Sequence, residues 1–339
     1  MPDIKKTDLE VGTEKHTFSR GNTQSLFKRI MSKSEVGVII PLIFLIIFTG
    51  LLRPNFFSVN NISAILRSLA FIGIVAIGET LVILVGEIDI SVGQVAGLGA
   101  ILGTWFMTHN VPVIPSILIT LAICSLVGIV NGVLVSYIKV SAFIATIGML
   151  YMVRGTKLYI TKGYPVYPIP DSINTFGSET PLGISWSFII CIVLFIVFDI
   201  ILRKTVYGRK VYAVGDNKDV ARLAGINVRW VKISAFVFAS VLSALSGILL
   251  AAQLHSGTHT IGEGWELNVI AATAVGGISL TGGAGSMGGT VIGVFILAIL
   301  TNSLILLGID TQIQTILTGM VMVGAVILDI IKRSRKVKG

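Results

Sequence analysis

Long apolar stretches, each of about 16 to 25 residues, follow one another along most of this 339-residue chain, and no other property restricts its fold as much. A hydrocarbon layer of about 30 Å takes about 20 apolar residues in helical form. Without water to satisfy peptide groups, only helices and closed barrels cross it. Barrel strands alternate apolar and polar residues over about 10 positions, and segments such as SLILLG and VIGVFILAIL do not alternate. The expected fold is therefore an all-α, polytopic transmembrane helical bundle. Composition agrees: 13% of residues are charged, about half the share of a soluble globular chain.

Apolar length and breakers place ten spans, at 36–52, 69–86, 91–109, 113–137, 141–160, 185–202, 232–254, 267–280, 288–307 and 313–331. Short cytoplasmic segments are enriched in Lys and Arg. Of the 26 basic residues, 21 fall in the leader 1–35, at Lys139, in the segment 203–232 or in the tail 332–339. The expectation is cytoplasmic N and C termini, with a leader 1–35, a transmembrane domain 36–331 containing the cytoplasmic loop 203–231, and a basic tail 332–339. The net charge of +9 is read as an orientation signal, with membrane lipid and no nucleic acid as partner. The leader has no apolar core ending in a small-residue cleavage site, so it does not read as a secretory signal. Cys124 and Cys191 lie in apolar runs and read as small buried hydrophobes.

Two loops exceed turns. The outer one, 161–184, holds Pro165, Pro168, Pro170 and Pro181 and reads as a structured loop or short elements. In the inner one, Asp216 or Asn217 can cap a short helix to about Ala224, stopped by Gly225. Val220, Leu223 and Ala224 recur there at helical spacing and leave one face for docking.

No Gly-Lys pair occurs in the chain, so the glycine-rich phosphate cradle of an ATPase is missing and any ATP is handled elsewhere. Gly283-Ala284-Gly285-Ser286-Met287-Gly288 has the spacing of a dinucleotide fingerprint but lacks the soluble βαβ setting. Gly285, Gly289 and Gly293 lie four apart, as do Gly93/Gly97, Gly99/Gly103 and Gly128/Gly132; such spacing lets helix backbones approach in lipid. Gly276-Gly277 and Gly282-Gly283 mark a broken or tightly turned helix. Glu79, Glu87 and Asp89 are carboxylates at membrane depth, where charge is costly and faces the bundle interior or water. For the run Gly86 to Gly93 two readings stand: Asp89 caps the next helix at Ser91, or Glu87, Asp89 and Ser91 meet the transported molecule or a gate. His255 and His259 are four apart, but the intervening Gly257 argues against a metal pair, and no residue grouping suggests catalysis.

Several ordered blocks carry a resemblance: Pro54-Asn55-Phe56-Phe57 with Asn60-Asn61; Gly86-Glu87-Ile88-Asp89-Ile90-Ser91-Val92-Gly93; Ala142-Phe143-Ile144-Ala145-Thr146 with Arg154-Gly155; Tyr207-Gly208-Arg209 with Ala213-Val214-Gly215-Asp216-Asn217; Ala221 through Val228; Gly264-Trp265-Glu266-Leu267 with Ile270-Ala271-Ala272; and Gly276-Gly277-Ile278-Ser279-Leu280 with Gly282-Gly283. From about residue 36 to 331 the chain resembles the membrane permeases of ribose- and galactose-type ATP-binding-cassette importers. The resemblance implies a multi-pass subunit of the cell (inner) membrane that binds no cofactor itself. It pairs with a second permease copy or paralogue, with a cytoplasmic ATPase whose two nucleotide-binding modules hold ATP and Mg, and with an external sugar-binding protein. The family's ATPase-coupling loop maps onto Asp216, Asn217, Asp219, Val220, Ala221, Arg222, Leu223, Ala224 and Gly225. Sugar sites combine aromatic faces with hydrogen-bonding groups, so Phe143, Thr146, Trp265, Glu266 and Asn302 join Glu87, Asp89 and Ser91 as candidates for the path or gate. Glu87 and Asp216 stand where many family members have glycine. The solute remains open among pentose, hexose, polyol, an autoinducer-2-like furanose and nucleoside. The rival, an ion-coupled secondary carrier, calls for buried carboxylates in both halves; here they cluster at 79–89, and the later half offers Asp199 and Asp329.

Overall fold

The computed structural model describes residues 36–324 apart from 179, 181, 182, 311, 321 and 322. The leader, the basic tail, Pro181 and Asp329 lie outside the described residues. Within these limits the chain is helical, with a single isolated β-bridge, Val166 to Gly257, and no strand. The long helices are α1 (Val36–Leu52), α2 (Val59–Leu84), α3 (Val92–Thr108), α4 (Val113–Val133, extended by a π-turn Leu134–Ile138) and α5 (Ala142–Thr161). After the short α6 (Asn174–Gly177) come α7 (Trp186–Lys204), α8 (Val206–Asp216), α9 (Lys218–Leu223), α10 (Val228–Leu254), α11 (Trp265–Val275) and α12 (Met287–Leu306). Residues 312–320 are helical again.

Among the described residues, five helices are long and apolar enough to cross a membrane: Val59–Leu84, Val113–Ile138, Trp186–Lys204, Val228–Leu254 and Met287–Leu306. Helix α4 is the most apolar of them yet turns Ile114, Leu118 and Leu126 outward, 69, 61 and 57% exposed. A helix apolar on its outer face as well as its inner one belongs against hydrocarbon.

The centre of the bundle is α10, packed on α2, α3 and α4. Small residues set these crossings. A Cβ on Gly78 would strike Ala239, one on Gly99 would strike Ala244, and one on Gly128 would strike Phe236 and Val237. Gly247 of α10 lies against the backbone of Ala96 in α3. Removing Cβ atoms at these points lets backbones touch, which is how helices gain packing energy in lipid. Around this axis α2 is buried almost continuously from Leu69 to Leu84.

The span expected at 69–86 begins ten residues earlier, at Val59, where the Ser58 hydroxyl accepts the Asn61 N–H at 3.3 Å. Asn61 and Arg67 lie inside the helix because both have polar surroundings, Asn61 in a pair with Asn302 and Arg67 on a cavity. The span expected at 267–280 shortens to the eleven residues of α11, because Gly277, Gly282 and Gly283 take positive φ values of 85, 89 and 72° and turn the chain. The outer loop holds a 3-10 turn, Asp171–Ile173, and α6. Helix α8 lies in the stretch read as loop before Asn217.

Candidate functional site

Four features carry polar chemistry or exposed apolar surface. The first is at the basic end of the bundle, where α7 ends and α10 begins. Thr205 caps α8, its hydroxyl accepting from Gly208 N–H at 3.2 Å. The end of α8 is joined backbone to backbone with its neighbours: a Cβ on Gly215 would meet the carbonyl of Leu84 and the N–H of Gly283. Gly283 N–H donates to Leu84 O at 3.0 Å, and Tyr212 donates its hydroxyl to Gly285 O at 3.0 Å. Three segments therefore meet backbone to backbone: α8, the end of α2, and the loop between α11 and α12.

Helix α9 rides on this junction. The Asn217 side chain accepts from the N–H groups of Asp219 and Val220 at 3.0 and 3.1 Å, and Gly225 ends the helix at φ 79°. Ala221 faces inward at 3% exposure, while Val220 and Leu223 stand out at 59 and 88%. Asp216, Asn217, Asp219, Arg222, Ala224 and Gly225 are exposed around them. Beside α9 opens a cleft of about 540 Å³ lined by Lys139, Lys218, Arg222, Arg229, Lys232 and Glu87, among others.

In that cleft Lys232 and Glu87 form an ion pair, 12 and 17% exposed. Breaking a half-buried pair from one side strands the other charge. Lys232→Ala is expected to lower stability by about 1–2 kcal/mol after allowance for solvent screening. Lys232→Ala with Glu87→Gln should recover most of that loss in thermal unfolding followed in detergent; a double variant no more stable than Lys232→Ala would remove the ion-pair account.

The second feature lies at membrane depth. The chain after α2 turns back into the bundle, so that the residues leading into α3 lie beside Glu79 in the last two turns of α2. Asp89 N–H donates to Glu79 Oε1 at 3.1 Å; Ser91 donates its N–H and hydroxyl to Asp89 Oδ1 at 2.8 and 2.6 Å. Asn131 Nδ2 donates to Ser91 Oγ at 3.0 Å, and Ile90 N–H donates to Thr146 Oγ1 at 3.2 Å. Glu79, Asp89, Ser91, Asn131 and Thr146 are all fully buried. Ser91, which makes no side-chain cap bond of its own, is the N-cap of α3, and Asp89 holds it.

The third is the chain between α10 and α11, residues 255–264, which runs without regular structure down the glycine face of α3. Gly257, Ile261 and Gly262 lie against Thr104, Gly97 and Gly93 in turn. The fully buried Lys157 donates Nζ to the carbonyls of His259 and Ile261, at 2.9 and 3.5 Å. Non-helical backbone at this depth is tolerated where protein supplies such partners. Arg154 and Glu263 approach to 3.7 Å at the surface of the same segment.

The fourth is a cavity of about 510 Å³ towards the end opposite the basic one. Helices α2, α10, α11 and α12 wall it with Arg67, Ser68, Phe71, Gln253, Trp265, Asn268 and Thr301, and Thr318 closes one side.

Of the residues nominated from sequence for a path or gate, the structure joins Asp89, Ser91 and Thr146 in one network. Trp265 and Glu266 share the first turn of α11, Trp265 on the cavity and Glu266 beside Gly93. Glu87 sits apart at the basic end. Phe143 is 56% exposed on the outside of α5. Asn302 forms a reciprocal amide pair with Asn61, at 2.8 and 3.0 Å, which ties the end of α12 to the start of α2. Gly289 and Gly293 lie on α12 against Gly276 and Ala272. Gly285 precedes that helix, at φ 136° and against Ile278, because Ser286 caps α12 through Gly289 N–H.

Sequence reasoning passed over Asn131, Lys157, Gln253, Asn268 and Lys232 as members of sites. A polar residue at helical spacing among apolar ones was the available signal for Asn131 and Lys157. In the later half, Glu266 turns a buried Oε2 towards Gly93, whereas Asp199 pairs with Arg203 at 2.8 Å.

Comparison with known proteins defines the class. The profile of the family "branched-chain amino acid transport system / permease component" matches residues 61–326. The chain is 40% identical over 325 residues to the probable ABC transporter permease protein YphD of Escherichia coli, covering 94% of this chain and 97% of that one. It is 37% identical over 305 residues to the ribose import permease protein RbsC of Bacillus subtilis, covering 89% and 94%. An L-arabinose ABC transporter permease, AraH of Azospirillum brasilense, is 33% identical over 299 residues, 88% of each chain. No solved structure matches. The chain belongs to this family of ABC transporter permeases and is a multi-pass membrane protein.

Proposed function

We propose that the chain is the transmembrane permease subunit of an ATP-driven importer that moves a monosaccharide or related small polar solute inward. The observation that carries the reading is α9: a capped helix with Leu223 88% exposed, surrounded by basic residues and seated on a three-way backbone junction. An apolar side chain so placed is suited to a protein partner, and the junction can pass its displacement to α2 and to the loop before α12. In this reading residues 203–231 form the coupling loop of a transmembrane domain spanning 36–331 in ten crossings, with the leader 1–35, the tail 332–339 and the basic end in the cytoplasm of a cell (inner) membrane. A separate ATPase with two nucleotide-binding modules holds ATP and Mg and docks on α9. A second permease copy or paralogue completes the path, and an external binding protein delivers the solute. Closure of the modules pushes α9, and the bundle exchanges one side of access for the other.

The ribose and arabinose permeases among the relatives support a monosaccharide as solute. Reconstitution of the subunit with its ATPase and binding protein in liposomes tests the whole reading. Uptake of a monosaccharide that requires ATP on the α9 side is expected; uptake that follows an ion gradient and ignores ATP would overturn it in favour of a secondary carrier.

A further inference from the structure

We infer that the basic cleft beside α9 holds the phosphate headgroup of an anionic phospholipid, whatever solute the subunit carries. The cleft forms where two membrane-length helices meet at one end. Val113–Ile138 finishes there and Val228–Leu254 starts there, which puts the cleft at headgroup level rather than in hydrocarbon. Tyr137 in the last turn of the first helix and Trp230 in the first turn of the second are both exposed, as aromatic residues at a membrane–water interface are. After α4 the chain makes a tight step: the π-turn ends at Lys139, whose φ of 66° is left-handed, and Val140 and Ser141 lead directly into α5.

Charge in the cleft is unbalanced, with five cations lining it against two carboxylates. Glu87 is held by Lys232, and Asp219 lies 3.7 Å from Arg222. Lys139, Lys218 and Arg229 are exposed and make no ion pair among the described residues. Arg229 instead lays its guanidinium over the Tyr137 ring, 4.6 Å from the centroid, which leaves its N–H edge for a planar pair with phosphate oxygens. Two neutral features add to the cations. Ser136 Oγ is buried at the cleft without a hydrogen-bond partner, and a hydroxyl so placed can donate to a phosphate oxygen. Helix α5 begins on the cleft, and Ser141 makes no side-chain cap bond there, so N–H groups of its first turn remain for an anion.

Apolar surface continues from the rim and favours a lipid over a free phosphate. Ile138 beside Lys139, and Phe143 and Ile144 after Ser141, stand exposed on the outside of the bundle, where an acyl chain can lie against them. A volume of about 540 Å³ falls in the range of small-molecule sites, about 300–1,000 Å³, and admits a phosphoglycerol group. Basic pockets between membrane helices are general sites for such headgroups. Lys218 and Arg222 belong to α9, so a headgroup in the cleft ties α9 to the start of α5 and of α10.

The test takes the purified full chain in mild detergent, adds phosphatidylglycerol or phosphatidylcholine with matched acyl chains, and counts retained lipid by native mass spectrometry. Phosphatidylglycerol should be retained in preference by about tenfold or more, and Lys139→Gln with Arg229→Gln should remove most of that preference, since each basic side chain near an anionic headgroup adds to the binding. Equal retention of the two lipids, or a preference untouched by the double variant, would overturn the site. Displacement of the lipid by inorganic phosphate would overturn the lipid assignment in favour of a free anion. A double variant that keeps the lipid preference but no longer binds the ATPase would assign the cleft to an acidic surface of that partner instead. Should the double variant be unstable, the unaltered protein in nanodiscs supplies a second measurement. Phosphatidylglycerol, compared with phosphatidylcholine, should slow acetylation of Lys139 severalfold relative to the exposed Lys162 at the far end of α5. An unchanged ratio of the two rates would overturn the proposal.

Discussion

Aspartate at both Leu223 and Ala224 is expected to reduce ATP-driven uptake by about a hundredfold or more, with the protein still inserted and monodisperse. Both side chains point away from the bundle, Leu223 at 88% exposure, so nothing in the fold depends on them. In a docked complex the apolar contact would be lost and two carboxylates would be desolvated against the partner. A central apolar anchor contributes about 2 kcal/mol or more to an interface, and unpaired buried charge adds to the cost; about 3 kcal/mol together corresponds to a factor of about a hundred. The check is uptake together with binding of the ATPase to the purified variant. Full uptake with both residues replaced would remove α9 from the coupling role. Ala221 is no substitute for this experiment, because at 3% exposure its replacement would disturb the seat of the helix as well.

Gly247→Ala is expected to destabilise the bundle by about 2–3 kcal/mol, whereas the same change at Gly148 should be near neutral. A Cβ on Gly247 would fall on the carbonyl of Ala96, at the crossing of α10 with α3, while nothing lies within 4 Å of the corresponding position at Gly148. Neither helix can retreat freely. The face of α3 that meets α10 also carries Gly99 against Ala244, and the other side of α10 is held by α2 and α4. Overpacking of a site without slack costs about 1–3 kcal/mol, occasionally more. Thermal stability in detergent, read by loss of the monodisperse peak, separates the two variants; equal stability would show that α10 and α3 have room to shift.

The two experiments bear on different parts of what the sequence made legible. Apolar length found the five described helices that are long and apolar enough to cross a membrane, because a run such as Val113–Ile138 has no other stable setting. Asn217 and Gly225 marked the ends of α9, because cap and stop are chemistry of single residues. Helix α8 escaped notice. Its sequence is polar enough to read as loop, and its place depends on Gly215 meeting Leu84 and Gly283 from distant parts of the chain. The start of α2 was hidden for a related reason: Asn61 is tolerated because Asn302, 241 residues away, satisfies it. The same limit applies to the sites. Asp89 and Ser91 stand out in a local run, but their connection to Glu79, Asn131 and Thr146 exists only after three other helices have assembled. Lys157, passed over in the sequence, is wholly buried, its ammonium holding two carbonyls in a space that Gly97 leaves open. The cavity is the extreme case, since no two adjacent helices could form it and its residues are unremarkable one by one.

The proposed function stands or falls on the docking of a separate ATPase at α9. Purification of the tagged protein from its native membrane in mild detergent, with mass-spectrometric identification of what accompanies it, tests that most directly. The account predicts stoichiometric recovery of an ATPase with two nucleotide-binding modules, lost when Leu223 and Ala224 are replaced by aspartate. A homogeneous protein that never carries an ATPase, yet performs ion-driven uptake, would contradict it.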